Sequence, residues 1–258
     1  MADARPVERP LHERVVVVTG AAKGLGDAIA RELAPRCAAL LLADLDAERV
    51  EAQADRLRAE GRKATAWVAD LTDPGSAGAL IDVADAEFGG ADVLVNNAGI
   101  VEYAPLAETS RELFRRLMAV DVESVYFLTQ AFADSLRRRE SGGCVVNLGT
   151  SHALTGVGGT SAYSTAKGAV HAMTRALAVE LAPLGIRVNT LALGTTLTER
   201  VRSELAPELL RKRMRQIPLA RGARPQEAAA AVAYLLDAGF ATGTELVLDG
   251  GFTVFGDA

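Results

Sequence analysis

Cysteine and histidine are scarce, with two and three residues among 258. Cys37 and Cys144 stand alone in apolar stretches with no CxxC spacing. A disulfide framework and a thiolate metal site are therefore excluded, no bound metal is expected, and both thiols read as reduced and buried. Apolar runs of the roughly 20 residues that a membrane helix needs are missing, and the opening MADARPVERPLHER has no signal-peptide core. A cytoplasmic chain with no membrane partner is expected. Charge imbalance is small, −5 at pH 7, so there is no basic surplus for nucleic acid. Repeats, low-complexity tracts and linkers are absent too. The expected organisation is a flexible leader over residues 1–13 and one domain over residues 14–258, and the 49% hydrophobic content of the chain suffices for a substantial core.

Residues 15–18 are four valines in a row, the pattern of a strand buried on both faces. Similar runs at 40–43, 66–69, 93–95, 144–148, 188–193 and 246–248 give seven expected strands. Between them, helical periodicity covers 47–60, closed by Gly61, and also 110–139, 162–181 and 226–236. Strand and helix alternate throughout. Parallel strands need crossover helices, so the fold class is α/β, a doubly wound seven-stranded parallel sheet covered on both faces. Ligands of such sheets bind beyond the carboxyl ends of the strands, where the winding reverses.

The first strand runs into Thr19-Gly20-Ala21-Ala22-Lys23-Gly24-Leu25-Gly26, which opens a helix near Asp27. Glycines at a helix N-terminus let backbone N–H groups approach a diphosphate closely. Asp44 ends the second strand, eighteen positions past Gly26, where its carboxylate would accept from adenosine ribose hydroxyls and repel a 2′-phosphate. NAD is thus preferred over NADP, with Lys23 as the opposing hint. Asp70-Leu71 and Asn96-Asn97-Ala98-Gly99 end the third and fourth strands at the same edge, where loop capping is the plain alternative.

Tyr163 and Lys167 are four apart in a helical segment, hence on one face. An ammonium favours ionisation of a neighbouring phenol, which gives a workable proton donor and acceptor. Together, TGAAKGLG, Asp44, NNAG and Tyr163-Ser164-Thr165-Ala166-Lys167 resemble the short-chain dehydrogenase/reductase superfamily, in its single-domain form. Asn189 ahead of Leu193-Gly194, Thr242-Gly243 and Asp249-Gly250-Gly251 extend the resemblance from Arg14 to Thr253.

That resemblance implies a Rossmann-type fold and an oxidoreductase, an alcohol dehydrogenase or ketoreductase passing a hydride between NAD and an alcohol or carbonyl carbon. Tyr163 would be the general acid/base. Lys167 would hold the nicotinamide ribose and lower the phenol pKa, and a hydroxyl after the fifth strand would bind the substrate oxygen. The expected cofactor set is Gly20, Lys23, Gly24, Leu25, Gly26, Asp44, Leu45, Asp70, Leu71, Asn97, Ala98, Gly99, Tyr163, Lys167, Gly194, Thr196 and Thr198, the last toward the nicotinamide carboxamide. A homotetramer is the first expectation and a dimer the second.

Two positions depart from the family pattern. Thr150 stands where serine is usual; it keeps the hydroxyl, and Ser151 is the alternative. Asp121 stands where asparagine usually orders a water relay to the lysine. A carboxylate there would pair with Lys167 directly or through water and oppose its effect on Tyr163, or else tie only to local backbone. Thr150, His152 and Tyr163 are the expected substrate contacts, with His152 alternatively a plain loop histidine. Loops at 101–106, 152–160 and 195–217 would select a small-molecule alcohol or ketone. Six cations and no acid lie between Arg211 and Arg224, read as a solvated face or as the dock of an anionic substrate or acidic carrier. The rival functions are a non-catalytic NAD-binding sensor and a related enzyme for imine reduction, epimerisation or dehydration.

Overall fold

The computed structural model describes residues 8–255. Seven strands are β1 (Val15–Thr19), β2 (Ala39–Asp44), β3 (Ala64–Val68), β4 (Val93–Asn96), β5 (Gly143–Thr150), β6 (Ile186–Leu193) and β7 (Glu245–Leu248). They alternate with α1 (Gly24–Leu33), α2 (Ala47–Ala59), α3 (Ser76–Phe88), α4 (Arg111–Met118), α5 (Ser124–Arg138), α6 (Ser161–Leu181), α7 (Glu199–Glu204), α8 (Pro207–Arg215) and α9 (Pro225–Asp237). All strand pairs are parallel, in the order β3-β2-β1-β4-β5-β6-β7. The winding reverses between β1 and β4, whose carboxyl ends lie side by side. Every expected strand is present, its ends displaced by no more than two residues.

Continuous apolar strands are explained by cover on both sides. Val16 and Val18, with Leu40 and Leu42, face a core shared with α1, α2 and α9. Val17 and Leu41 face the opposite core under α3, α5 and α6. Each fully buried valine or leucine contributes about 1.5–3 kcal/mol of transfer free energy, so a strand that alternated with polar residues would lose one layer. Asp46 caps α2 by accepting from Arg49 N–H, and Ser110 caps α4 by accepting from Leu113 N–H at 3.0 Å.

The single helix expected over 110–139 is two helices. Between α4 and α5, Ala119–Glu123 form one π-helical turn, with Ser124 Oγ donating to the Val120 carbonyl at 2.6 Å. An inserted residue of this kind leaves the apolar periodicity of both flanks readable while rotating one position inward. That position is Asp121, fully buried.

Residues 1–7 of the expected leader lie outside the described residues. Residues 8–13 are held: Leu11–Glu13 make a turn of 3-10 helix, Glu8 pairs with Arg14 at 3.0 Å and Arg187 at 2.5 Å, and Arg9 reaches Asp92. Cys144 is buried as expected, but Cys37 is only half-buried. Burial pushes both thiols up to about 12, so neither is a thiolate. No helix among the described residues is long and apolar enough to cross a membrane.

Candidate active site

The glycine turn after β1 is shaped by close backbone approach. Gly20 has a φ of +63°, and a Cβ there would lie 2.8 Å from Ala98 Cα, while one on Gly26 would overlap the Gly20 carbonyl oxygen. Asn97 closes the turn from β4, donating from Nδ2 to the carbonyls of Thr19 and Gly20 at 2.8 and 2.9 Å. Thr19 Oγ1 accepts in return from the N–H groups of Asn97 and Ala98. Two adjacent strand tips are thereby tied together beside the N-terminus of α1, which Gly24 and Leu25 begin and exposed Lys23 precedes.

Asp44, half-buried at the tip of β2, accepts from Ala22 N–H at 2.8 Å and Asp46 N–H at 3.0 Å. A carboxylate has about four acceptor positions, so two remain free for hydroxyl donors. Leu45 beside it is exposed. Asp70 accepts from the N–H and hydroxyl of Thr72 at 2.8 and 2.7 Å, a local cap, and Leu71 packs on the core. On the far side, Gly194 approaches Asp249 so closely that a Cβ would sit 2.7 Å from Asp249 Cα. Thr196 is buried in a bridge to Ala223. Thr198 caps α7, and its methyl would lie 3.6 Å from a Cβ on Gly24, so the loop after β6 folds over the glycine turn.

Tyr163 and Lys167 share one face of α6, both 6% exposed. Lys167 Nζ donates to the Leu148 carbonyl at 3.2 Å and lies 3.3 Å from Asp121 Oδ1, which also accepts from Ile100 N–H at 3.1 Å. The contact between carboxylate and ammonium is direct, with no intervening water position. It also explains Gly99: a Cβ there would stand 2.5 Å from Asp121 Oδ1. Burial raises the Asp121 pKa, Lys167 opposing it first and the Ile100 N–H next. Asp121 Oδ2 is buried without a hydrogen-bond partner.

Burial also pushes the Tyr163 phenol well above its ordinary value. Tyr103 and the Asp121 carboxylate add to the rise; a side-chain hydrogen bond with Thr150 and the charge of Arg200 oppose it. The Lys167 ammonium, expected to lower the phenol pKa, is engaged by the Asp121 carboxylate, whose charge acts on the phenol in the opposite sense, and by the Leu148 carbonyl. Thr150 rather than Ser151 is the hydroxyl that lowers the Tyr163 phenol pKa, and its Oγ1 donates to the Leu193 carbonyl at 3.4 Å, while Ser151 Oγ is buried and unpartnered. Thr150 is fixed from beneath, its N–H donating to His171 Nε2 at 3.3 Å, and His171 Nδ1 lies 3.3 Å from Glu245.

Beyond Tyr163 opens a cavity of about 100 Å³ lined by Tyr103, His152, Thr195, Arg213, Gln216 and Phe252 among others. The Tyr103 ring meets the Tyr163 ring edge-on at 5.5 Å, and His152 lies 5.8, 6.5 and 6.1 Å from the rings of Tyr103, Tyr163 and Phe252. Burial first, then Arg213, lowers the His152 pKa, so this imidazole is neutral at neutral pH. Sequence reasoning missed Tyr103, Phe252 and Arg213 as individuals. The available signals were an aromatic residue four positions past Gly99 and another directly after Asp249-Gly250-Gly251.

Residues 20–253 match the family model described as enoyl-(acyl carrier protein) reductase. Cyclopentanol dehydrogenase of Comamonas testosteroni is 37% identical over 246 residues, 94% of this chain and 98% of that one. Cis-4-hydroxycyclohexanecarboxylate dehydrogenase of Sinomonas cyclohexanicum is 42% identical over 245 residues, 93% and 97% of the two chains. A crystal structure of a short-chain type dehydrogenase/reductase from Mycobacterium marinum superposes with a TM-score of 0.89 at 31% identity, covering 95% of this chain and 97% of that one. 7α-hydroxysteroid dehydrogenase complexed with NADH and 7-oxo glycochenodeoxycholic acid gives 0.89 at 30% identity, covering 94% and 95%. Likeness in sequence and in fold thus runs from the glycine turn to the segment beyond the last strand, and by it the chain belongs to the short-chain dehydrogenase/reductase superfamily.

Proposed function

We propose that the protein is an NAD-dependent alcohol dehydrogenase or ketoreductase acting on a small or medium cyclic, largely apolar substrate, with Tyr163 as general acid/base. The observation that carries this reading is the buried Tyr163 phenol, beside Thr150 and one helical turn from Lys167, in ring contact with Tyr103 and His152, which line a cavity of mixed polar and apolar walls. Relatives named for cyclopentanol and cis-4-hydroxycyclohexanecarboxylate support a ring-bearing alcohol.

The residues fit a nicotinamide dinucleotide. The glycine turn puts no Cβ at Gly20, Gly24 or Gly26 beside a helix N-terminus, so backbone N–H groups can approach a diphosphate closely. Asp44 retains acceptor capacity for ribose hydroxyls and would repel a 2′-phosphate, which favours NAD over NADP. The related 7α-hydroxysteroid dehydrogenase is a complex with NADH. Such a cofactor supplies or takes a hydride at the substrate carbon.

Lys167, held at 3.3 Å by Asp121, would present its remaining N–H to the nicotinamide ribose. Thr150 would place its hydroxyl on the substrate oxygen and stabilise charge developing there. In the reducing direction Tyr163 donates the phenolic proton to the carbonyl oxygen, and burial keeps it protonated until then. In the oxidising direction the phenolate must form first, so alcohol oxidation favours alkaline pH.

Exposed Tyr126 and Phe127 on α5 and Val179 on α6 support subunit packing through these helices, a homotetramer first and a dimer second. The test follows NADH absorbance against a panel of cyclic alcohols and ketones. Reduction of NAD by at least one cyclic alcohol is expected; cofactor binding with no turnover of any member would instead support the sensor reading.

A further inference from the structure

Arg213 sits differently from the other cations of its segment. Arg211 pairs with Glu208, and Arg221 and Arg224 both pair with Glu227. Lys212 and Arg215 are exposed. Arg213 is half-buried on α8, turned toward the cavity, with its guanidinium carbon 5.7 Å from the centroid of the Tyr103 ring. Among the described residues no carboxylate lies within ion-pair distance of it. The cavity it lines contains no acidic residue. An inward positive charge that no carboxylate of the described residues answers, in a cavity also lined by apolar Ile217 and Phe252, is a site shaped for an anion attached to an apolar body.

The spacing adds a second constraint. Tyr103 neighbours both groups, its ring centroid 5.5 Å from that of Tyr163 and 5.7 Å from the Arg213 guanidinium carbon. A ligand whose oxygen meets Tyr163 can reach Arg213 only if its anionic group lies several bonds away, on the far side of a ring or short chain. A guanidinium presents a planar fork that matches a carboxylate bidentately. The cavity of about 100 Å³ suits a compact acid better than a carrier-bound chain.

Resting on the dehydrogenase reading above, we propose that the substrate is a hydroxy or oxo carboxylic acid and that Arg213 is the specificity-determining residue that binds its carboxylate. Tyr103 braces the guanidinium through its ring face, and neutral His152 avoids a competing positive charge beside it.

The test compares wild type, Arg213→Gln and Arg213→Lys, each with NAD, on 4-hydroxycyclohexanecarboxylate and its methyl ester. The wild type is expected to favour the acid over the ester in kcat/KM. In Arg213→Gln that ratio should collapse by about 10–100-fold, chiefly through KM, and Arg213→Lys should restore part of it. An unchanged ratio, or equal losses on acid and ester, overturns the proposal. A second readout needs no turnover: with NADH bound, cyclohexanecarboxylate should raise the melting temperature of wild type more than cyclohexanecarboxamide does, and the difference should vanish in Arg213→Gln. If that Arg213-dependent binding appears while no alcohol is oxidised, the dehydrogenase reading fails and the carboxylate site stands. Stabilisation by inorganic phosphate or by an acidic carrier protein, but not by the carboxylate, overturns the site.

Discussion

Replacing Asp121 by asparagine removes one buried negative charge and little else. The side chain is fully buried, and an asparagine carbonyl can still accept from Ile100 N–H, which sits 3.1 Å from Asp121 Oδ1. Lys167 and Tyr163 are one helical turn apart, about 5–6 Å at Cβ, and Asp121 Oδ1 stands 3.3 Å from the ammonium. At roughly 8 Å and an effective dielectric constant of about 20–40, one charge changes the ionisation of the phenol by about 1–2 kcal/mol, near one pH unit. The sign follows from the carboxylate favouring the protonated phenol. Without it the Tyr163 pKa falls, and Lys167, released from its counter-ion, pulls in the same direction. The alkaline-rising limb of kcat/KM for alcohol oxidation should therefore shift down by about one pH unit in Asp121→Asn. The assay is a pair of pH–rate profiles at saturating NAD, with cofactor affinity measured in parallel. Superimposable limbs, or a shift upward, would refute the reasoning.

Three further outcomes are expected. Glu8→Gln strips the carboxylate from two largely buried guanidiniums, Arg14 and Arg187, and should cost about 1–3 kcal/mol, read as a lower Tm with activity at low temperature retained. The His171 pKa is lowered from 6.5 by burial, with Glu245 opposing, so its contribution to stability is present above 6.5 and is lost as pH falls through and below that value. The gap between Tm values at about pH 7.5 and about pH 5.5 should narrow in His171→Gln without vanishing, because His152 is shifted the same way. Asp44→Asn removes the charge opposing a 2′-phosphate, and the NAD-to-NADP ratio of kcat/KM should fall about 10–100-fold; an unchanged ratio would place selectivity elsewhere.

The strands were legible because two-sided burial writes itself as uninterrupted apolar runs, as at Val15–Val18. The glycine turn, Asp44 and the Tyr163–Lys167 pair were legible because each depends on local spacing. The break between α4 and α5 was not, since a π turn adds one residue without disturbing the periodicity on either side. The cavity wall was the least legible part. Tyr103, His152, Arg213 and Phe252 come from four separate loops or helices and meet only through the sheet order and the Asp249 turn, whose side chain accepts from Gly251 and Thr253 N–H at 2.8 Å. Nor does spacing reveal that Glu8 is answered by Arg187, far along the chain.

The central claim is that the Tyr163 phenol moves the substrate proton. It is tested most directly by steady-state turnover of Tyr163→Phe beside NADH binding to the same protein. The account predicts kcat lower by about 10²–10⁴-fold with cofactor affinity nearly unchanged; turnover close to that of wild type would contradict it.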